Sequence, residues 1–201
     1  MSVLLAIDTA APRLALALLQ EDGRVATLVE DMATGQAERL FPAIDELLAR
    51  TGIGYPDLSR IAVTTGPGSF TGLRIGLSAA RGLGLALGIP VVGVPSLLAI
   101  SLAAEGGPLA VLLDARRGEA YVQLFTGPGL ADGDAALLPV VAAEARIPAG
   151  AAIVTSPLVD IGALARFAAG ADPAAYRPDA AYIRDADAKP QEKFRVARTG
   201  A

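Results

Sequence analysis

The chain has no cysteine, no histidine and no tryptophan, and only four tyrosines and five phenylalanines among its 201 residues. Without cysteine there is no disulfide framework, no thiolate nucleophile and no cysteine-held zinc or iron–sulfur centre. Without histidine there is no Ser-His-Asp triad, no histidine-ligated metal and no imidazole acid–base group. The chemistry that remains is that of carboxylates, lysine, tyrosine, hydroxyls and backbone amides. The shortage of rings means a core of Leu, Ile, Val and Ala, within an apolar share of 53%. Basic charge is short too: 17 Lys and Arg stand against 21 Asp and Glu, for a net charge of −4 and a pI near 4.9. That balance argues against a protein that grips nucleic acid alone through phosphate neutralisation. The length suits one ordinary domain, or two small ones sharing a core.

The mean hydropathy of +0.48 raises the question of a membrane. Gly82 to Ala104 carries no charged residue and is long enough to cross a bilayer. Pro90 and Pro95 interrupt it, however, with Gly82, Gly84, Gly88 and Gly93 scattered through. The stretch reads as a helix end, a short strand, a loop and a new helix. The first apolar run lacks a preceding positive region and holds Asp8, so it is not a signal peptide. The expectation is a soluble cytoplasmic protein with no membrane partner.

What is present is an ordered alternation of strands and helices. Val3 to Ile7 is an apolar run of strand length ended by Asp8-Thr9; Leu14 to Leu19 and Val25 to Val29 read as a second and third strand. Their short connections predict an antiparallel meander. Leu40, Phe41, Ile44, Leu47 and Leu48 form one helical face, closed near Gly52. Ile61 to Val63 reads as a buried strand running into Gly66-Pro67-Gly68-Ser69-Phe70-Thr71-Gly72, followed by a helix over about 73–87 that Gly88 ends. Pro90 to Val94 predicts a further strand, and Ser96 a cap for a third helix through Ala104. After Gly106-Gly107-Pro108 the opening pattern returns: strand Leu109 to Leu113, Asp114, a turn at Ala115 to Gly118, and a return strand Ala120 to Phe125. Asp8 and Asp114 thus hold matching places in two strand–Asp–turn–strand units, which predicts two related halves, each a sheet with flanking helices. From Thr126 to Pro178 the chain is rich in Ala, Gly and Pro, with short strands expected at Val140-Val141 and Ile153-Val154 and a helix at Ile161 to Ala169. From about Asp185 the polar, mixed-charge end reads as a mobile tail.

Three features carry candidate chemistry. The Gly66–Gly72 turn, with Gly66, Gly68 and Ser69, lies between a strand and a helix, where backbone amides and the helix dipole suit an anion. No Lys follows the glycines, so it is not a Walker A loop, and a tight turn capped by Ser69 or Thr71 reads equally from these residues. Gly72, Gly76, Ala80, Gly84 and Gly88 recur every four residues along the second helix. A glycine inside a helix costs about 1 kcal/mol relative to alanine, so the strip needs a reason: close packing within the chain, or close approach of another subunit. Arg74 and Arg81 share another face of that helix. Asp8 and Asp114, at strand ends, could hold a Mg²⁺ through water or orient a phosphate, or simply serve as turn residues. The Arg116-Arg117 pair reads as an anion clamp or a solvated turn, and Tyr121 and Tyr182 as packing residues.

Taken together, Ile7-Asp8-Thr9, the run from Gly66 to Gly76, and Asp114-Ala115-Arg116-Arg117-Gly118-Glu119-Ala120-Tyr121 resemble the bacterial TsaB family, formerly called YeaZ. Tyr182-Ile183-Arg184 is similar to that family's ending. The resemblance implies an α/β, actin-like or sugar-kinase-like ATPase fold of two RNase H-like halves: a lobe over 1–105, a smaller lobe over 106–184 and a tail over 185–201. It implies a non-catalytic subunit that pairs with a TsaD-type catalytic subunit in forming threonylcarbamoyladenosine beside the tRNA anticodon, with a TsaE-type ATPase in the complex. Such a subunit forms a homodimer when alone and meets tRNA only through the complex. ATP and metal are expected on the partner subunits, with no cofactor required by this chain. Where TsaD-type chains carry metal-binding histidines, this one has Val94-Pro95-Ser96-Leu97-Leu98-Ala99-Ile100. The resemblance also turns the small-residue strip toward a partner interface of Gly72, Arg74, Gly76, Ala80 and Gly84, with Leu40, Phe41, Ile44 and Leu48 beside it. Two departures stand out. Gln36 replaces a histidine common before the first helix, and the second half is abbreviated, lacking a glycine-rich strand and a helix expected between Ile153 and Pro157. The alternative reading is a small Mg-ATP-dependent kinase or ATPase of the same fold, using Asp8, Asp114 and the glycine turn.

Overall fold

β1 (Val3–Asp8) is buried at every position, as a central strand with both faces covered must be. Its side chains alternate between two cores: Leu5 and Ile7 face one, Leu4 and Ala6 the other. The computed structural model describes residues 3–181. β2 (Arg13–Leu19) and β3 (Val25–Asp31) extend β1 as an antiparallel meander, while β4 (Leu58–Thr64) and β5 (Val91–Val94) run parallel to it, in the order β3-β2-β1-β4-β5.

The helices α1 (Gln36–Thr51) and α2 (Phe70–Leu87) cover one face of this sheet, through Leu40, Ile44, Leu47, Leu77 and Ala80. Gly52 and Gly88 end them in the left-handed conformation that glycine adopts without penalty. On the other face the strands present small side chains, Ala6, Ala15, Ala17 and Ala62, to α5 (Ile161–Gly170) with its own Ala165 and Ala168.

The second sheet is built from β6 (Leu109–Asp114), β7 (Glu119–Gly127), β8 (Leu130–Pro139) and β9 (Ala152–Val154), in the order β8-β7-β6-β9, with α4 (Val140–Ala145) between β8 and β9. The sense of pairing repeats the first sheet: a three-stranded antiparallel meander, a helix, then a strand parallel to the first of the set. The chain then passes from β9 into α5 without a counterpart of α2 and β5 among the described residues. α3 (Ser96–Ser101) packs on β6 and β7, and α5 packs on β1 and β2. Each half therefore sends its last helix across a shared apolar core.

Three local expectations are corrected. Ser96 is the first residue of α3 rather than its cap, which is Pro95, and the helix ends at Ser101 rather than Ala104. The Ser101 hydroxyl donates to Leu98 O and accepts from Gly129 N–H, tying the helix end to the β7–β8 turn. Val140-Val141 opens α4 instead of forming a strand; Pro139 pre-sets the turn and the following alanines favour helix. β8 was hidden in the Ala- and Gly-rich stretch because its first five residues are all exposed, so it has no apolar alternation to read.

A strap over 176–181 runs back along β5. Gly93 N–H donates to Tyr176 O and Ala181 N–H to Thr65 O, both at 2.8 Å. A Cβ at Gly93 would meet Arg177 O at 2.2 Å, so only glycine admits the strap. The expected tail over 185–201, and with it Tyr182-Ile183-Arg184, lies outside the described residues.

Candidate partner groove and inter-sheet cleft

The glycine turn is filled from behind by the β1–β2 connection. Ser69 caps α2 by accepting from Gly72 N–H at 3.2 Å, while its own N–H donates to Ala10 O at 2.7 Å. A Cβ at Gly68 would lie 2.6 Å from Ala10 O, one at Gly72 1.9 Å from Thr9 O, and one at Gly76 2.6 Å from Thr9 Oγ1. The Thr9 hydroxyl in turn donates to Gly72 O at 2.7 Å. Farther along, a Cβ at Gly84 would meet Val91 Cγ2 at 2.3 Å, and Ala80 is wholly buried. Gly66, at φ 105, sits between Leu73 and Ala181 O. The strip Gly72, Gly76, Ala80 and Gly84 thus lets α2 lie close on its own sheet. This corrects the placement of those four residues at a subunit interface, and Ile44 and Leu48 likewise pack into the core.

The outward faces of α1 and α2 leave an apolar groove of about 780 Å³, lined by Leu40, Phe41, Phe70, Arg74, Ile75 and Leu83 among others. Phe41 and Phe70 are 45% and 55% exposed, unusual for large rings in a chain with so few of them. The Arg74 guanidinium lies 3.8 Å over the Phe70 ring, a cation–π contact that holds the ring at the groove's edge. Of the residues expected at a partner interface, Leu40, Phe41 and Arg74 line this groove, beside Phe70 and Leu83, which were not among them.

Asp8 and Asp114 share a backbone motif but not an environment. Asp8 Oδ1 accepts from Ala10 N–H at 3.1 Å, and Asp114 Oδ1 from Arg116 N–H at 2.8 Å, the same Asx turn in each half. Asp8 is wholly buried; its Oδ1 also accepts from the Thr64 hydroxyl at 2.6 Å, and its Oδ2 has no partner. Burial pushes this carboxyl above its ordinary value, against the opposing pull of Thr64, Ala10 and Arg13. Asp114 is exposed. After it, Arg116 and Arg117 both adopt positive φ, 66° and 55°, a backbone state that costs a non-glycine residue about 1–2 kcal/mol.

A second cavity, about 570 Å³, opens between the two sheets. Its walls include Pro12, Gln36, Gly68, Ser69, Ser96, Asp114, Arg116 and Tyr121; Asp8 is enclosed behind them and is not part of the lining. Gln36, the buried first residue of α1, donates from Nε2 to Met32 O at 3.3 Å. Ser96 is buried with its hydroxyl unpartnered. Among the described residues no three acidic side chains gather as a metal cluster, and no helix is long and apolar enough to cross a membrane.

The meander–helix–strand architecture has known relatives. A family model described as "TsaD: tRNA N6-adenosine threonylcarbamoyltransferase" matches residues 30–147, more than half of the chain. The chain belongs to that family. Within it, the likeness is to the TsaB/YeaZ group: the "tRNA threonylcarbamoyladenosine biosynthesis protein TsaB" of Bacillus subtilis (strain 168) is 40% identical over 126 residues, 61% of this chain and 54% of that protein. An uncharacterised protein of Mycobacterium tuberculosis (strain ATCC 25618 / H37Rv) is 38% identical over 165 residues, covering 81% of this chain and 75% of that one. The solved structure "YeaZ from Pseudomonas aeruginosa" superposes with a TM-score of 0.75 at 28% identity, covering 90% of this chain and all of that one. The match spans about half the length of the Bacillus protein.

Proposed function

We propose that this chain is a partner subunit in the formation of threonylcarbamoyladenosine on tRNA, and that it acts by docking a TsaD-type catalytic subunit on the α1/α2 groove. The observation that carries the reading is the apolar groove with Phe41 and Phe70 exposed on adjacent helices, in a chain of this family. Pairs of helices packed across such a groove are how two related α/β subunits bury apolar surface. The fold is read as actin-like, with lobes over 1–105 and 106–184 each derived from an RNase H-like half. The second is abbreviated by one strand and one helix, since β9 leads straight to α5. With no histidine or cysteine in the sequence, the threonylcarbamoyl transfer is assigned to the partner. ATP and metal are assigned there too, and a TsaE-type ATPase and tRNA are met through the complex. The chain alone forms a homodimer through the same groove. A small kinase or ATPase has less support, because the Ser69 and Gly72 amides of the glycine turn are already hydrogen-bonded within the chain.

The test is the mass in solution, by light scattering, of the chain alone and mixed with the TsaD-type subunit of the same organism. A one-to-one mixed species that replaces the homodimer, and that Phe41→Asp prevents without loss of circular dichroism, is the expected result. A chain that ignores the TsaD-type subunit, or pairs with it equally well as Phe41→Asp, overturns the proposal.

A further inference from the structure

We infer that the α1/α2 groove selects its occupant by charge, and that a second copy of this chain docks there with α1 of each copy lying on α2 of the other. The inference rests on the docking reading above and adds to it the register and the residues that set it. The two helices carry opposite charge on their outward faces. Over Phe70–Leu87 the only ionisable side chains are Arg74 and Arg81, so α2 is purely basic. On α1, Glu38 and Asp45 flank Phe41. All four charged residues are exposed, and none forms an ion pair among the described residues. The remaining acid of α1, Glu46, is already paired with Arg39 at 2.8 Å. Asp45 Oδ1 accepts from the Tyr55 hydroxyl at 2.7 Å, and Arg74 lies over the Phe70 ring, so both are held in place without being neutralised.

The spacing on the two helices matches. Glu38 and Asp45 are seven residues apart, as are Arg74 and Arg81, which is nearly two turns, or about 10.5 Å along a helix. α1 follows β3 and α2 follows β4, strands that both run parallel to β1, so the two helices run back in one direction. A two-fold axis along that direction sets α1 of one copy on α2 of the other with the order of residues kept. Glu38 then meets Arg74 and Asp45 meets Arg81, once on each side of the axis. An axis across the helices would instead set α1 on α1 and α2 on α2, bringing like charges together. Shape agrees with charge. Phe41, between the two acids, is 45% exposed. Ser78 stands between the two arginines with Gly82 beside it, and nothing lies within 4 Å of where a Cβ at Gly82 would be, so a ring has room there.

Reversing the charge of one helix at a time, with dimerisation followed by sedimentation, tests this. Arg74→Glu with Arg81→Glu makes both helices acidic, and Glu38→Lys with Asp45→Lys makes both basic. The four positions are exposed, so both double variants keep the circular dichroism of the unmodified chain. Each alone dimerises about tenfold more weakly or worse. Mixed, they form a one-to-one dimer as tight as the unmodified one, because all four contacts are again between opposite charges. That gain on mixing fades in 1 M NaCl, where the screening length is about 3 Å. Double variants that dimerise as the unmodified chain does, a mixture no tighter than either variant alone, or an unmodified chain that stays monomeric overturns the inference. Phe41→Asp separates this result from the docking proposal. Pairing that ignores the charge reversals but is lost in Phe41→Asp removes the register and leaves the groove as the docking surface; pairing that survives Phe41→Asp removes the groove itself.

Discussion

Gly72→Ala and Gly82→Ala make the same chemical change ten positions apart on one helix, and the structure gives them opposite signs. Removing a helix-interior glycine favours the folded chain by about 1 kcal/mol at either site. At Gly82 nothing lies within 4 Å of the new methyl group, so that gain is kept. At Gly72 the methyl would stand 1.9 Å from Thr9 O, a backbone atom with no flexible side chain to yield. The helix must lift off the β1–β2 turn. Overpacking of this kind costs about 1–3 kcal/mol, and the shift strains the Thr9 hydroxyl bond to Gly72 O, worth about 0.5–1.5 kcal/mol. With the propensity gain subtracted, Gly72→Ala destabilises by about 0.5–3.5 kcal/mol and Gly82→Ala stabilises by about 1 kcal/mol. Urea unfolding followed by circular dichroism reads the difference, with equal slopes showing that the unfolded states match. Gly82 lines the groove, so light scattering is used to hold all three proteins in the same oligomeric state. If Gly72→Ala proves as stable as Gly82→Ala, the close approach of α2 to Thr9 is not what the glycine serves.

Ala80→Arg places a charge at a wholly buried position in the core between α2 and the sheet. It abolishes the folded signal in circular dichroism; a well-folded monomer would instead put the strip at a subunit contact. Asp8→Asn keeps an Oδ1 acceptor for Thr64 and Ala10 while removing a buried charge. The folded carboxyl titrates above its ordinary 3.8, so between that value and the raised one the native chain holds more protons than the unfolded chain. Stability then falls as pH rises through this window and levels off above it. The Asn variant removes that slope and raises Tm at neutral pH, by about 2–4 °C for each kcal/mol recovered. An unchanged slope in thermal scans from pH 4 upward refutes the assignment.

Most of the first half was readable because each of its signals had one physical cause. Of the helical face expected from Leu40, Phe41, Ile44, Leu47 and Leu48, all but Phe41 are buried. Asp8 and Asp114 announced the repeat, and both make the same Asx turn. The second half was less readable where burial is thin. β8 has no alternation to detect, and α4 begins with two β-branched residues that resemble a strand. The glycine strip was ambiguous for a different reason. A strip of glycines tells that something approaches a helix closely, but not from which side. Here the approach comes from Thr9 and Ala10, about 60 residues away in sequence, and from Val91 just past the helix end, contacts invisible to a helical wheel.

The same contacts define what the glycine turn does. A turn that cradles phosphate keeps its amides free and its space open. Here the Ser69 amide is spent on Ala10 O, the Gly72 amide on the Ser69 hydroxyl, and the Gly68 and Gly72 positions are closed by backbone. The same contacts fix α2 flat on the sheet by its small face, which turns Phe70 and Arg74 outward beside Phe41. Filling the turn and presenting the groove are therefore one structural event. Any change that reopened the turn by displacing Thr9 and Ala10 would also shift α2, and with it the groove proposed for the partner.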